Sequence, residues 1–463
     1  MTDWNGKLVV MIGAARQGLT LARYLAQKGA KVILNDQRED SLLVDARQEL
    51  SDLDITWVTG GHPLEILDGT DLVCLSGGVP LDLPLVIEAE NRGIPLSNDS
   101  QIFLEAAPCP VIGITGSAGK STTTALVGEI ARLHYQQRKP NNQAWVGGNI
   151  GNPLIQYVDQ MQEDDIAVME LSSFQLEIMT RSPHIAVILN LTPNHLDRHK
   201  TMAAYTSAKA NILTNQGPDD IAILNRDDVQ SRKIHHEIKG RLITFGLNEP
   251  YNKQDATYYK RGKIYLRASG QVAKIIRTDL INLPGTHNLY NVLAAIAISA
   301  AASFSMQAIY EGIVNFTGIS HRLEFVRKWG GAEWYNDSIA TAPERAMAAI
   351  NAFDRPIVLL AGGRDKDLPW GKFANLVHEK VDHLVLFGET ADLISDAVGD
   401  VVPEQRPYTL DRCAGLEEAV QKAAERVEPG DIVLLSPGGT SFDEFIDFEE
   451  RGKRFTQWVK ELT

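Results

Sequence analysis

Residues 111–121 read Val-Ile-Gly-Ile-Thr-Gly-Ser-Ala-Gly-Lys-Ser, a run of strand formers that breaks into glycine and ends on a Lys-Ser pair. A strand, a glycine turn and a helix in that order gather backbone N–H groups and a helix N-terminus around a small anion. The segment therefore calls for an α/β layer with a phosphate loop at the end of one strand. Lys120 is placed to neutralise terminal phosphates, and the Ser121 hydroxyl to ligate Mg²⁺. The usual loop has glycine where Ile114 stands here, and the glycine before it is Gly113.

The same alternation extends in both directions. Strands are expected over residues 7–12, 31–35 and 72–76, with a helix over 18–28. A Pro-Cys-Pro break at 108–110 ends that series. The second series holds the phosphate loop and strands over 166–170, 185–190 and 221–225, then short β segments over 258–283 with a charged hairpin near 260–263, and a helix after His287. Turn-forming residues at 315–322 introduce a third series, with strands over 357–360, 383–387 and 431–436. At 463 residues the chain exceeds what one core serves, and the three series give three domains: 1–108, 109–317 and 318–463.

A formal charge of -14 excludes a protein built to grip nucleic acid non-specifically. Cys74, Cys109 and Cys413 lie far apart in no metal-ligand spacing, which suits a reducing, cytoplasmic setting. The apolar stretch 292–304 is too short for a membrane span and reads as a buried helix.

A second glycine turn, 13–18, follows the first expected strand, and Asp36 ends the next one, close to a dinucleotide fingerprint. Ala15 occupies the place of the middle glycine. The turn is read as a uridine-diphosphate site, with a nicotinamide cofactor or no ligand as alternatives. Glu170 at a strand end can face the phosphate loop and hold Mg²⁺, although an isolated Glu there is ordinarily solvated. His195 and Asp197 follow the strand 185–190 in the same topological position. His195 and His199 have zinc-protease spacing, but Leu196 stands where that motif needs Glu.

With these residues in view, the chain resembles the Mur ligase family along its whole length. The resemblance rests on the phosphate loop, the Glu-Leu-Ser-Ser-Phe-Gln-Leu-Glu run at 170–177, Asn-His-Leu-Asp-Arg at 194–198, Gly-Gly-Asn-Ile-Gly at 147–151, His287-Asn288, His321-Arg322 and the segment 436–443. The run at 170–177 is similar to the D-glutamate-adding branch. The resemblance implies an N-terminal Rossmann-like domain for a uridine-diphosphate-sugar substrate, a central P-loop ATPase-type domain and a C-terminal Rossmann-like domain for the amino acid. The implied enzyme is a cytoplasmic monomer that uses ATP and two Mg²⁺ ions to join D-glutamate to UDP-N-acetylmuramoyl-L-alanine through an acyl phosphate, in peptidoglycan precursor synthesis.

The same resemblance implies the sites. Lys120, Glu170, His195 and a carbamylated Lys209 are the catalytic set, and Ser121, Glu170, His195 and Lys209 the metal set. ATP falls to Thr115, Gly116, Ser117, Ala118, Gly119, Lys120, Ser121 and Thr122, with Asn288, Arg322 and Asp337. The uridine-diphosphate substrate falls to Arg16, Gln17, Asp36, Gln37, Gly78, Asn149, Ser172 and His195, and D-glutamate to Thr341, Lys366, Ser441 and Phe448. The chain departs from the family pattern at Ala118, where asparagine is common, at Gly77, often proline, and at Ile339, usually lysine. Folylpolyglutamate synthesis, a sister Mur activity and a dehydrogenase are the competing enzyme readings, and a regulatory nucleotide-binding module is the non-enzyme one.

Overall fold

Apolar runs with no alternation, such as Leu-Val-Val-Met-Ile at 8–12 and Ile-Val-Leu-Leu at 357–360, belong to strands covered on both faces. The computed structural model, which describes residues 2–149, 151–194, 196–283, 285–365, 368–402 and 404–463, places them at the centres of three sheets. The chain forms two compact units, Met1–Phe316 and Thr317–Thr463.

The first unit holds two sheets. One contains β1 (Leu8–Ile12), β2 (Lys31–Asp36), β3 (Ile55–Thr59), β4 (Leu72–Leu75) and β5 (Leu96–Ser97), all parallel in the order β3-β2-β1-β4-β5. The chain reverses its direction of travel between β1 and β4, the place where open α/β sheets receive ligands. The helix Arg16–Gln27 begins earlier than the sequence pattern indicates, because Gly18 lets the turn close: a Cβ there would lie 1.9 Å from the Gly13 carbonyl oxygen.

The second sheet contains β6 (Val111–Thr115), β7 (Ala144–Gly148), β8 (Ile166–Glu170), β9 (Ile185–Ile188), β10 (Ile221–Asn225), β11 (Arg241–Gly246), β12 (Ala256–Lys260), β13 (Lys263–Ala268) and β14 (Gln271–Arg277). Its order is β14-β13-β12-β11-β10-β9-β6-β8-β7, with only β13 and β14 antiparallel to their neighbours. The charged hairpin is the β12–β13 turn, where Arg261 and Gly262 both take positive φ, as a two-residue hairpin loop of the primed kind requires. β9 stops at Ile188, before Asn190, which turns away to serve the phosphate loop. The stretch 292–304 lies mostly in the buried helix Thr286–Ala301, packed on the helix Lys120–Arg138. No helix among the described residues is long and apolar enough to cross a membrane.

The second unit contains β15 (Glu324–Trp329), β16 (Ala332–Asn336), β17 (Ile357–Gly362), β18 (Val381–Phe387), β19 (Thr409–Cys413) and β20 (Ile432–Gly438), ordered β15-β16-β20-β17-β18-β19. All pairs are parallel except β15–β16. Two apolar layers cover the sheet, one around Phe373 and Leu359, the other around Trp334, Phe455 and Val433.

Candidate functional site

β6 lies between β8 and β9 in its sheet and delivers the phosphate loop between their ends. Gly116 has φ +155 with Leu189 Cβ 2.9 Å from where its own Cβ would be, and Gly119 has φ +84 with Asn291 Oδ1 2.2 Å from that position. Both positions require glycine. The loop is held from β9: Ser117 N–H donates to the Asn190 carbonyl at 2.9 Å, and the Asn190 carboxamide pairs both ways with the Ala118 backbone, at 2.9 Å each. With its backbone so held, Ala118 needs no polar side chain to fix the loop. Ser117 Oγ joins Thr192 and Tyr205, at 2.8 and 2.9 Å to the Thr192 carbonyl and the Tyr205 hydroxyl. Lys120 Nζ folds back over the loop, donating to the Gly116 carbonyl at 3.0 Å.

Glu170 ends β8 opposite Ile114 and is 2% exposed, against the ordinary expectation for a strand-end Glu. Its Oε1 accepts from Asn149 Nδ2 at 2.8 Å, while Oε2 is buried with no hydrogen-bond partner among the described residues. A carboxylate oxygen left so is costly unless a cation or donor completes it. Lys209, from the helix Met202–Thr214, is likewise 2% exposed, with Nζ 3.2 Å from Thr115 Oγ1. Burial, reinforced by the positive charge of Lys120 and opposed by Glu170, brings its ammonium down to about 7. Asn149, Glu170, Thr115, Lys120 and Lys209 therefore form one cluster at the loop, with Ser121 buried in the first turn of the helix behind it.

The uridine-diphosphate set divides between the two sheets. Arg16, Gln17, Asp36, Gln37 and Gly78 lie in or beside the loops that follow β1, β2 and β4, where Ser76 Cβ lies 2.9 Å from where a Gly13 Cβ would be. Asp36 is already engaged: it accepts from Ala14 N–H at 2.8 Å and forms an ion pair with Arg38 at 2.8 Å. Burial alone raises its pKa, but the bonds from Arg38 and Ala14 outweigh that and leave it at about 2. Ser172 caps the short helix Ser173–Leu176 in a capping box with Gln175, whose Nε2 reaches Ser100 Oγ at 2.8 Å.

In the C-terminal unit, Asp337 follows β16, is 4% exposed and accepts from Ser436 Oγ at 2.8 Å. Burial raises its carboxyl to about 6. Arg322 precedes β15, and Thr341 donates its N–H to the Ile339 carbonyl at 2.9 Å. Ser441 is buried beyond β20, and Phe448 opens the helix Phe448–Glu461, its carbonyl accepting from Ser338 Oγ at 2.8 Å. Arg451, 0% exposed, donates to the carbonyls of Ser338, Gly439 and Thr440 at 2.9–3.2 Å and so ties the ends of β16 and β20 together.

Three family profiles match in chain order: the Mur ligase MurD-like N-terminal domain over residues 7–98, the Mur ligase middle domain over 114–299, and the Mur ligase glutamate ligase domain over 321–439. A UDP-N-acetylmuramoylalanine–D-glutamate ligase of Symbiobacterium thermophilum is 41% identical, covering 98% of this chain and 98% of the relative. The chain belongs to the Mur ligase family.

An enzyme of the same description from Pelotomaculum thermopropionicum is 38% identical over 100% of this chain and 99% of its own. The crystal structure of a murein peptide ligase from Psychrobacter arcticus has a similar fold, TM-score 0.52 at 15% identity, covering 99% of this chain and 100% of that one. Of the site residues expected for a Mur ligase, His195 and Lys366 lie outside the described residues, as does the Asp197 side chain. His199 is a packing residue: buried, stacked on Phe174 at 5.4 Å, with Nε2 2.9 Å from Ser173 Oγ.

Four residues at these sites were given no role by the sequence reading. Asn291 is buried against Gly119, 3.4 Å from Thr123 Oγ1, and donates to Asn288 Oδ1 at 3.1 Å. Its signal was its place one helical turn after Asn288, on the same face. Asn190 carries no local signal, its partner being 72 residues away. Arg198 stands in the run at 194–198 but its Val79 partner is 119 residues away, and Arg451 reaches Ser338 113 residues away as well as the nearer Gly439 and Thr440.

Proposed function

We propose that the chain is an ATP-dependent ligase that adds D-glutamate to UDP-N-acetylmuramoyl-L-alanine. The observation that carries the chemistry is the buried pair at the phosphate loop: a Glu170 oxygen with no hydrogen-bond partner among the described residues and a Lys209 amine brought down to about 7. The branch is supported by full-length likeness to D-glutamate ligases. The domain limits at 108/109 and 317/318, and the substrate sets assigned from the family pattern, belong to the same reading.

In the proposed reaction an oxygen of the substrate's terminal carboxylate attacks the γ-phosphorus of ATP and ADP leaves. The D-glutamate amine then attacks the acyl carbon, phosphate departs and the amine proton is released. The chain's part is to align and to neutralise: loop N–H groups and Lys120 receive the phosphates, and Asn149 orients the Glu170 carboxylate. A half-neutral amine at Lys209 can add to the carbon of CO₂ and lose a proton, which converts a buried cation into an anionic ligand. Ser121, Glu170, His195 and that carbamate would hold two Mg²⁺ ions, which supply charge neutralisation on the transferring phosphoryl group. Three free, buried cysteines suit the cytoplasm, and sedimentation at 51.0 kDa is expected for a monomer.

Phosphate release from ATP and Mg²⁺ with UDP-N-acetylmuramoyl-L-alanine tests the reading. Release that requires D-glutamate supports it; release only with L-glutamate, L-lysine or diaminopimelate moves the chain to a sister branch, and no release with any of them overturns the ligase assignment.

A further inference from the structure

The segment 194–198 enters the functional reading through His195, and its last residue makes a long-range connection of its own. Arg198 donates to the Val79 carbonyl at 2.6 Å and to the Gly78 carbonyl at 3.3 Å, reaching from the central sheet's loops to the loop after β4. Its guanidinium lies 4.0 Å from the centre of the Phe174 ring, in the run that begins at Glu170. A planar fork resting on an aromatic face loses little freedom when it binds two carbonyls. The peptide between Gly78 and Val79 is thus held at both ends, since Val79 N–H donates to the Ser76 carbonyl at 2.9 Å while the Gly78 carbonyl accepts from Arg198. Ser76 and Val79 in turn crowd Gly13, where an added Cβ would meet their side chains at 2.9 and 3.3 Å. Glycines at 77 and 78 have no side chains to fix this loop, so its shape depends on such outside bonds.

We propose that Arg198 is a positioning residue for the nucleotide-sugar substrate: it sets the Gly78–Val79 backbone on which the diphosphate portion rests, and leaves ATP binding untouched. This rests on the reading that Gly78 contacts that substrate. A mere tether between the two sheets would show as lost stability, with no preference between ligands.

Calorimetric titration of the full chain with UDP-N-acetylmuramoyl-L-alanine and, separately, with Mg²⁺-ADP distinguishes the two. Arg198→Ala is expected to weaken the sugar nucleotide about tenfold or more, with ADP affinity within about twofold of wild type. Arg198→Lys is expected to recover only part of the loss, because an ammonium cannot fork to two carbonyls. Phe174→Leu, which keeps the charge and removes its platform, should weaken the sugar nucleotide about threefold, and serves if the alanine variant does not fold. Sugar-nucleotide binding within twofold of wild type in both Arg198→Ala and Phe174→Leu, or an equal loss for both ligands with a lowered melting temperature, overturns the proposal. A wild-type chain that binds ADP and not the sugar nucleotide overturns the functional reading, and this proposal with it.

Discussion

Replacing Lys209 with methionine should abolish ligation and yet make the protein more stable at neutral pH. A lysine held at about 7 in the folded chain and at its ordinary 10.5 when unfolded binds fewer protons folded than unfolded. Stability then falls as pH drops from 10.5 towards 7 and levels below, at about 1.4 kcal/mol for each pH unit within that window. At pH 7 the buried amine costs about 4 kcal/mol, and at pH 9.5 only about 1.4 kcal/mol. Methionine has similar length and no charge, but forfeits the bond to Thr115, worth about 1 kcal/mol, and fits imperfectly for about another 1 kcal/mol. Lys209→Met is therefore expected to be about 2 kcal/mol more stable than wild type at pH 7 and no more stable at pH 9.5. Urea unfolding in CO₂-free buffer with EDTA, followed by the transition of the first unit, measures the difference. A variant that is less stable at pH 7, or a difference that does not shrink with rising pH, refutes the neutral-amine argument. In ¹³C-bicarbonate, wild type should show a carbamate carbon resonance that the variant lacks.

The other expectations are equally specific. Gly119→Ala forces a left-handed residue and a Cβ 2.2 Å from Asn291 Oδ1, and should weaken Mg²⁺-ADP binding at least about tenfold; calorimetry should find part of the loss restored when Asn291→Ala is added. Arg451→Met strands the carbonyls of Ser338, Gly439 and Thr440, so urea unfolding of the C-terminal unit should show a loss of about 3 kcal/mol or more; Arg451→Lys should not rescue it. NAD fluorescence titration should show no binding, because both Asp36 oxygens are occupied by Ala14 and Arg38; tight stoichiometric binding would return the first glycine turn to a dinucleotide. Removal of Mg²⁺ by EDTA should eliminate phosphate release, and excess Mg²⁺ should restore it.

The interior of each sheet was legible in the sequence because β1, β6, β17 and β20 are buried on both faces and leave an unbroken apolar run. Edges were not. β5 has two residues, β7 ends in Gly147-Gly148 with no side chains to show a pattern, and β15 is a half-exposed strand with both charged and aromatic residues. The phosphate loop, Glu170 and Lys209 were found because glycine spacing and family motifs mark them locally. Arg451 was invisible for the opposite reason: Phe-Glu-Glu-Arg-Gly-Lys-Arg-Phe reads as an amphipathic surface helix, and only the turn of chain at 439–440 supplies the carbonyls that let a guanidinium be buried.

Burial of a carboxylate is by itself a poor guide to chemistry, as two residues of the first unit demonstrate. Asp99 Oδ1 and Glu170 Oε2 are both buried without a hydrogen-bond partner among the described residues. Asp99 opens the helix Asp99–Ala106, and burial raises it to about 6 although Gln175 and Ser100 offer it hydrogen bonds. A helix N-terminus favours what negative charge it keeps, and a proton can remove the rest. Its environment contains its own remedy. Glu170 ends a strand opposite the one that carries the phosphate loop and lies within the electrostatic reach of Lys209. Among the described residues nothing completes that oxygen, which is the feature the proposed cation site would use.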